Sequence, residues 1–511
     1  MRSRTLTVLL TAGVLAAGCS TGAAAGGSAA PAVAWQECGA GLDCATLEVP
    51  VDHADPDGDT VALSLVRHRA TDPAQRIGSL LYNPGGPGGP ANEAVRTIDA
   101  AAGTGPWSPE LLARFDVVGM DPRGVGESEG VRCLDDAERE AVLARDVDPT
   151  LPGGMPREAL EADVRLLTDG CVDGVDPALL AHMATDDVAR DIDLVRAALG
   201  EDRISYLGAS YGTLLGATYA TLFPDRVRHM VLDAPVDPAR WQTDPVAATT
   251  DQALAGERML DAYLATCVEQ GCPFGAGDPG AALDALVARL EAQPLEVPAA
   301  NGVPAGTLDG AGVLTAARFA MITPSLWPVL TTGLLAAEAG DGSILRVLST
   351  LLLREPDGTP AGFAEANTAV NCLDRAVPAD PAVHDANAAE IVAAAPRFGT
   401  LSSYLLLTCA SWPVPNPDRF TGPLTGAGAP PILVVGGRED SQTPYPWAVA
   451  MADELESGVL LTRDGYGHGS YRASGPCIDT AVDRYLVDGT VPADGTVCAQ
   501  EPAPSTLPAT G

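Results

Sequence analysis

Short apolar runs closed by glycine, proline or aspartate recur along the first half of the chain. They are VALSLVRHR (61–69), GSLLYNPGG (78–86), FDVVGMDPRG (115–124), RISYLGAS (203–210) and HMVLDAPV (229–236), and each has the composition of a buried strand. Segments of helical period fall between several of them. In DDVARDIDLVRAALG (186–200), Val188, Ile192, Val195 and Leu199 return at three- and four-residue spacing, one face of a helix. Strands that alternate with helices predict a mostly parallel sheet covered on both faces. The strand pattern stops near residue 236. From 237 to about 425 the chain reads as helices, such as ERMLDAYLATCVEQ and GAALDALVARLEAQ, and proline-rich loops. Strands return as PILVVGG (431–437) and GVLLTRDG (458–465), separated by the helical YPWAVAMADELE. This pattern predicts an α/β core, 35–236 and 426–498, interrupted by a helical cap at 237–425.

The two ends read differently. MRSRTLTVLLTAGVLAAGC opens with Arg2 and Arg4, continues through an apolar stretch too short to span a bilayer, and closes on small residues before Cys19. This is the layout of an export signal over 1–18. Its ending resembles a bacterial lipobox with Cys19 as the acylated residue, although Leu15 stands one place earlier than usual; ordinary signal cleavage is the alternative. The small, flexible 19–34 suits a tether to a membrane face. Residues 499–511 are proline-rich and expected to be disordered. They finish in LPATG, a sortase recognition pentapeptide without the apolar and basic residues that follow it in sortase substrates.

Composition narrows the function. A net charge of −36 and the absence of lysine exclude a nucleic-acid surface. Beyond Cys19 there are ten cysteines, an even set that in an exported protein predicts five disulfides. Pairing between neighbours joins Cys38 to Cys44, Cys133 to Cys171, Cys267 to Cys272, Cys372 to Cys409 and Cys477 to Cys498. A zinc cluster is the weaker reading, because no tight Cys-x-x-Cys pair or nearby histidine supplies tetrahedral ligands.

The chemistry centres on Gly208-Ala209-Ser210-Tyr211-Gly212. A strand precedes this G-x-S-x-G and a helix-like run follows it, the context of a nucleophile elbow. A serine hydroxyl needs a base. Of six histidines, His53, His68 and His182 precede the serine, His229 opens a core strand and His384 lies in the cap. His468, in GYGHGS after the last strand, is the candidate. Asp440 in GGREDSQTP is the candidate acid and Asp233, ending HMVLD, its rival. The oxyanion would be held by the amides of Tyr211 and of Gly86 in NPGGPGG (83–89); that loop lacks the lysine and Ser/Thr of a phosphate-binding P-loop.

Taken together, GGPG after an early strand, DPRGVGES (121–128), GASYG, GGREDSQTP and GYGHG resemble the proline-iminopeptidase branch of the α/β-hydrolases, and more closely the secreted tripeptidyl aminopeptidases of actinobacteria. The likeness spans roughly Trp35 to Cys498. It implies an α/β-hydrolase fold, Ser210, Asp440 and His468 as the triad, a helical insertion over the site, and release of short peptides, tripeptides in that family, from free N-termini of peptides or proteins. Two departures stand out: Asn83 and Pro84 precede the paired glycines where the iminopeptidases have histidine, and Pro90-Ala91 follow where the secreted relatives have Ser-Gly. No cofactor or metal is expected, and the membrane would be met only through a lipid anchor. An aminopeptidase must also meet a substrate cation, and Glu365 and Asp374 in AEANTAVNCLDRA are the candidate partners. The competing readings are a carboxylesterase or lipase with the same triad and a binding protein on an inactive hydrolase scaffold.

Overall fold

The computed structural model describes residues 32–507 apart from 99–106, 146, 300–301, 352, 355–357 and 417–418. The export signal and Cys19 lie outside the described residues. In chain order the strands are β1 (Gln36–Gly39), β2 (Leu42–Pro50), β3 (Thr60–His68), β4 (Gly78–Asn83), β5 (Phe115–Met120), β6 (Ile204–Ala209), β7 (Val227–Asp233), β8 (Leu295–Val297), β9 (Gly306–Leu308), β10 (Ile432–Glu439), β11 (Gly458–Tyr466) and β12 (Thr496–Ala499). Ten of them form one sheet in the order β1-β2-β3-β5-β4-β6-β7-β10-β11-β12. The β1-β2-β3-β5 side is antiparallel and everything from β5 onward is parallel. β5 and all but the last residue of β6 are buried, as continuous apolar runs must be when helices cover both faces.

Strand order decides where a ligand can sit. From β4 the chain goes to β5 on one side and then returns to β6 on the other, so the winding reverses between β4 and β6. Open α/β sheets bind ligands beyond the carboxyl ends of strands at such a reversal. Asn83, the end of β4, is in register with Gly208 in β6. The glycine-rich loop after Asn83 and the serine after Ala209 therefore emerge side by side.

Between β7 and β10 the described elements are helices and the antiparallel pair β8-β9. Helices Pro245–Gln270, Gly310–Ala320 and Trp327–Glu338 supply much of a separate apolar cluster that includes Tyr263, Leu314, Trp327 and Leu330 and draws in Phe398. The inserted segment thus has its own core. The described residues contain no helix long and apolar enough to cross a membrane.

One expectation is corrected at the C-terminal end. Residues 500–507 are not loose. Glu501 N donates to Ser474 O at 3.0 Å. Gln270 clasps this end, its Nε2 donating to Pro504 O at 3.0 Å and its Oε1 accepting from Thr506 N at 2.9 Å. Thr506 is fully buried. A glutamine on the inserted helix supplies the backbone partners that composition alone could not reveal.

All five disulfides join the neighbours expected from the sequence. The Cys133–Cys171 bond closes the longest loop, 38 residues, and ties the segment after DPRGVGES to helix Arg157–Gly174. Loop-closure entropy assigns it about 4 kcal/mol. The double variant Cys133→Ser/Cys171→Ser is expected to lose about that much in chemical denaturation, and an unchanged midpoint would show that the bond does not form.

Candidate active site

Ser210 stands between β6 and helix Tyr211–Leu222 with φ +56. A non-glycine residue pays for that conformation, and it persists only where its surroundings hold it. They do so on every side. Ser210 N donates to Asp233 O at 2.9 Å, and Ser210 O accepts from Thr213 N at 2.9 Å and Thr213 Oγ1 at 2.6 Å. Gly212 lets the helix press onto β4, since a Cβ there would stand 2.7 Å from Asn83 O. Gly85 has φ +96, and a Cβ on it would meet Ser210 Cβ at 2.9 Å and Tyr211 N at 3.0 Å. The glycine-rich loop therefore lies against the serine, and only glycine allows the approach. Among the described residues neither the Gly86 nor the Tyr211 amide has a protein acceptor.

His468 and Asp440 are paired. Nδ1 of His468 lies 2.9 Å and 3.0 Å from the two carboxylate oxygens of Asp440, whose side chain is fully buried. Asp440 Oδ1 also accepts from Gln442 N and Thr443 N, each at 2.8 Å. A carboxylate accepts only, so Nδ1 carries the proton and Nε2 is left unprotonated. Burial works against the imidazolium, but the charge and hydrogen bond of Asp440 and the charge of Asp233 carry the His468 pKa above its ordinary value. Burial likewise works against the Asp440 carboxylate, and His468 and Arg463 hold its pKa below the usual range.

Asp233, the rival acid, has different partners. Its carbonyl holds Ser210 N, while its carboxylate accepts from Ser470 N at 2.9 Å and Tyr471 N at 2.9 Å. One residue ties the serine turn to the histidine loop. Arg463 is the part that the sequence reading missed. Buried within β11, its guanidinium donates to the carbonyls of Glu439, Tyr466, Gly467 and Gly469, spanning both loops that carry the dyad. An arginine inside a strand gives no signal of this kind until the loops it gathers are known.

A cavity of about 490 Å³ opens beside Gly86 and is lined also by Trp241, Gln252, Asn367, Asn371 and Arg375. Gln252 Nε2 donates to Gln442 O at 2.8 Å, linking this wall to the turn that holds Asp440. Glu365 and Asp374 are not in its lining, which corrects the expectation for the substrate amine. Glu365 accepts from Leu134 N at 3.0 Å and pairs, buried, with Arg139 at 2.5 Å. Asp374 accepts from Thr185 N at 2.9 Å and meets Thr185 Oγ1 at 2.5 Å. Burial raises the Asp374 pKa to about 7. The reason is helical period: positions 365, 366, 369, 370, 373 and 374 of helix Phe363–Asp374 face inward, leaving Asn367, Thr368 and Asn371 toward the cavity.

A serine on a strained strand-to-helix turn, a histidine–aspartate pair after later strands and a glycine loop at the sheet's winding reversal define a serine hydrolase of the α/β-hydrolase fold. Residues 78–264 match the family described as alpha/beta hydrolase fold, and residues 395–498 match the one described as TAP-like protein. The chain is 37% identical to serine protease Hip1 of Mycobacterium tuberculosis (90% of this chain, 87% of that one). It is 32% identical to the tripeptidyl aminopeptidase of Streptomyces lividans (94% and 89%), and 35% identical to carboxylesterase B of M. tuberculosis (89% and 86%). The chain belongs to the α/β-hydrolase family, in the group with a TAP-like C-terminal region.

Proposed function

We propose that this is an exported serine exopeptidase that releases short peptides, tripeptides in the first instance, from free N-termini through an acyl-enzyme. Ser210 attacks the scissile carbonyl as Nε2 of His468 takes its proton. The amides of Gly86 and Tyr211 receive the oxyanion, and Asp440 stabilises the imidazolium, which then protonates the leaving amine. Water repeats the cycle on the ester. The segment 237–425 acts as the cap over the site, residues 1–18 as the export signal, and Cys19 as the lipid attachment point at the outer face of the cell membrane. Five disulfides support an oxidising compartment.

The observation that favours a peptide over a simple ester is the cavity wall. Thr249, Gln252, Asn367 and Asn371 line it, and hydroxyl and carboxamide groups match the donors and acceptors of a peptide backbone. Most of these groups also have protein partners, but Asn371 Oδ1 is buried without one, and an acyl chain would leave it unpaired at about 1–3 kcal/mol. The test compares a tripeptidyl anilide, its Nα-acetylated form and a short acyl ester. The free tripeptide is expected to exceed the acetylated one by about tenfold or more in kcat/KM, as the loss of hydrogen bonds from a charged amine implies. Equal hydrolysis of the two peptides, or strong preference for the ester, would overturn the reading and leave a carboxylesterase.

A further inference from the structure

Asn367, Asn371 and Arg375 follow one another at four-residue spacing along the cavity-facing side of helix Phe363–Asp374 and its C-terminal boundary. Residues so spaced are neighbours, about 5–6 Å apart at Cβ. Their polarity is fixed from one end. Asn367 Nδ2 donates to Pro87 O at 2.9 Å, in the glycine loop itself, so Asn367 Oδ1 must be the acceptor from Asn371 Nδ2, also at 2.9 Å. That orients the second carboxamide. Asn371 Oδ1 is left buried without a partner.

Arg375 completes the row. It is 9% exposed, its guanidinium is stacked on Trp241 at 3.4 Å from the ring centroid, and its Nε is buried without a hydrogen-bond partner. Among the described residues it has no ion-pair partner. Among the described residues the opposing charge beside it is that of Asp374, whose oxygens are engaged by Thr185. Burial pushes the Arg375 pKa down to about 9, against the opposing charge of Asp374. Buried charges in folded proteins are paired or meet a ligand. No acidic side chain among the described residues lines this cavity, which points to the substrate as the source of the missing negative charge.

We propose that Arg375 binds a substrate carboxylate, with Asn371 Oδ1 accepting an N–H of the same peptide, so that the cavity selects peptides carrying an acidic group. The inference rests on the exopeptidase reading and specifies its substrate class. An ammonium brought to Asn371 would be repelled by a bare guanidinium one helical turn away, and a carboxylate on the same peptide removes that repulsion. The carboxylate could be an Asp or Glu side chain or the terminal carboxylate of a short peptide.

The test uses the whole mature chain and matched substrates. Tripeptidyl anilides carrying Glu or Gln at each position in turn probe the side-chain source; a tetrapeptide as free acid or C-terminal amide probes the terminal one. In one of these pairs the wild-type enzyme is expected to favour the acidic member by about 10- to 100-fold in kcat/KM. Arg375→Met is expected to bring that ratio near one, and Arg375→Lys to keep part of it. A purely structural stack on Trp241 would leave the wild-type ratios near one in every pair, and that result overturns the proposal even if the variants fail to fold. If no peptide is cleaved while an acyl ester is, the exopeptidase reading fails separately. The same Glu and Gln peptides are then compared as inhibitors of ester hydrolysis, and equal inhibition constants overturn the carboxylate site.

Discussion

Ser210→Ala is expected to fold and be exported normally while losing on the order of 10⁴-fold or more in kcat and all labelling by a fluorophosphonate. The structure sharpens this expectation. Ser210 is anchored by its main chain, through Asp233 O, Thr213 N and Thr213 Oγ1, so removing Oγ deletes the nucleophile without loosening the turn. Alanine at φ +56 meets the same strain as serine, and the thermal midpoint should move little. His468→Ala should lose a comparable factor, and the double variant little beyond either one, because a base without a nucleophile has nothing to activate. Near-normal peptide release by Ser210→Ala would remove the assignment. Losses that multiply in the double variant would mean that the two residues act independently.

How much of this was legible in sequence depended on whether the signal was local. RISYL before GASYG and the apolar helix after it sufficed for the serine turn, because strand, glycine and helix signals all lie within a few residues. Asp440 and His468 were readable as polar residues just past late strands. β1, β2 and β12 were not anticipated. The edge strand β1 is largely exposed and so lacks the buried run that betrays a strand, and β8 and β9 are three residues each, too short for any period to show. The acids were a harder case. Glu365 and Asp374 look free in sequence, and only the packing of helix Phe363–Asp374 against Arg139 and Thr185 shows them engaged. The polar row at 367, 371 and 375 carries the helical period that could have pointed to it. What the period could not reveal is that this face, and not the acidic one, borders a cavity.

The choice between Asp440 and Asp233 yields the second large effect. Both carboxylates are buried near His468, and both contribute to its raised pKa; they differ in what they bond. Asp440 Oδ1 is fixed by two backbone donors, Gln442 N and Thr443 N. In Asp440→Asn those amides retain the carbonyl oxygen, which turns the new NH₂ toward His468 Nδ1. A donor in place of Oδ2, 3.0 Å from Nδ1, favours the imidazole proton on Nε2, where the ring cannot take a proton from Ser210. The expected loss is about 10⁴-fold in kcat. Asp233→Asn keeps an oxygen for Ser470 N and Tyr471 N and leaves the tautomer alone, so about tenfold is expected there. The pH profile separates the two further. The free enzyme needs neutral His468, so kcat/KM should rise with pH through a midpoint above 6.5, the direction in which Asp440 moves this histidine. In Asp440→Asn the opposing burial dominates and the residual activity should rise through a midpoint below that of the wild type. A 10⁴-fold loss in Asp233→Asn with only a small one in Asp440→Asn would transfer the acid's role to β7.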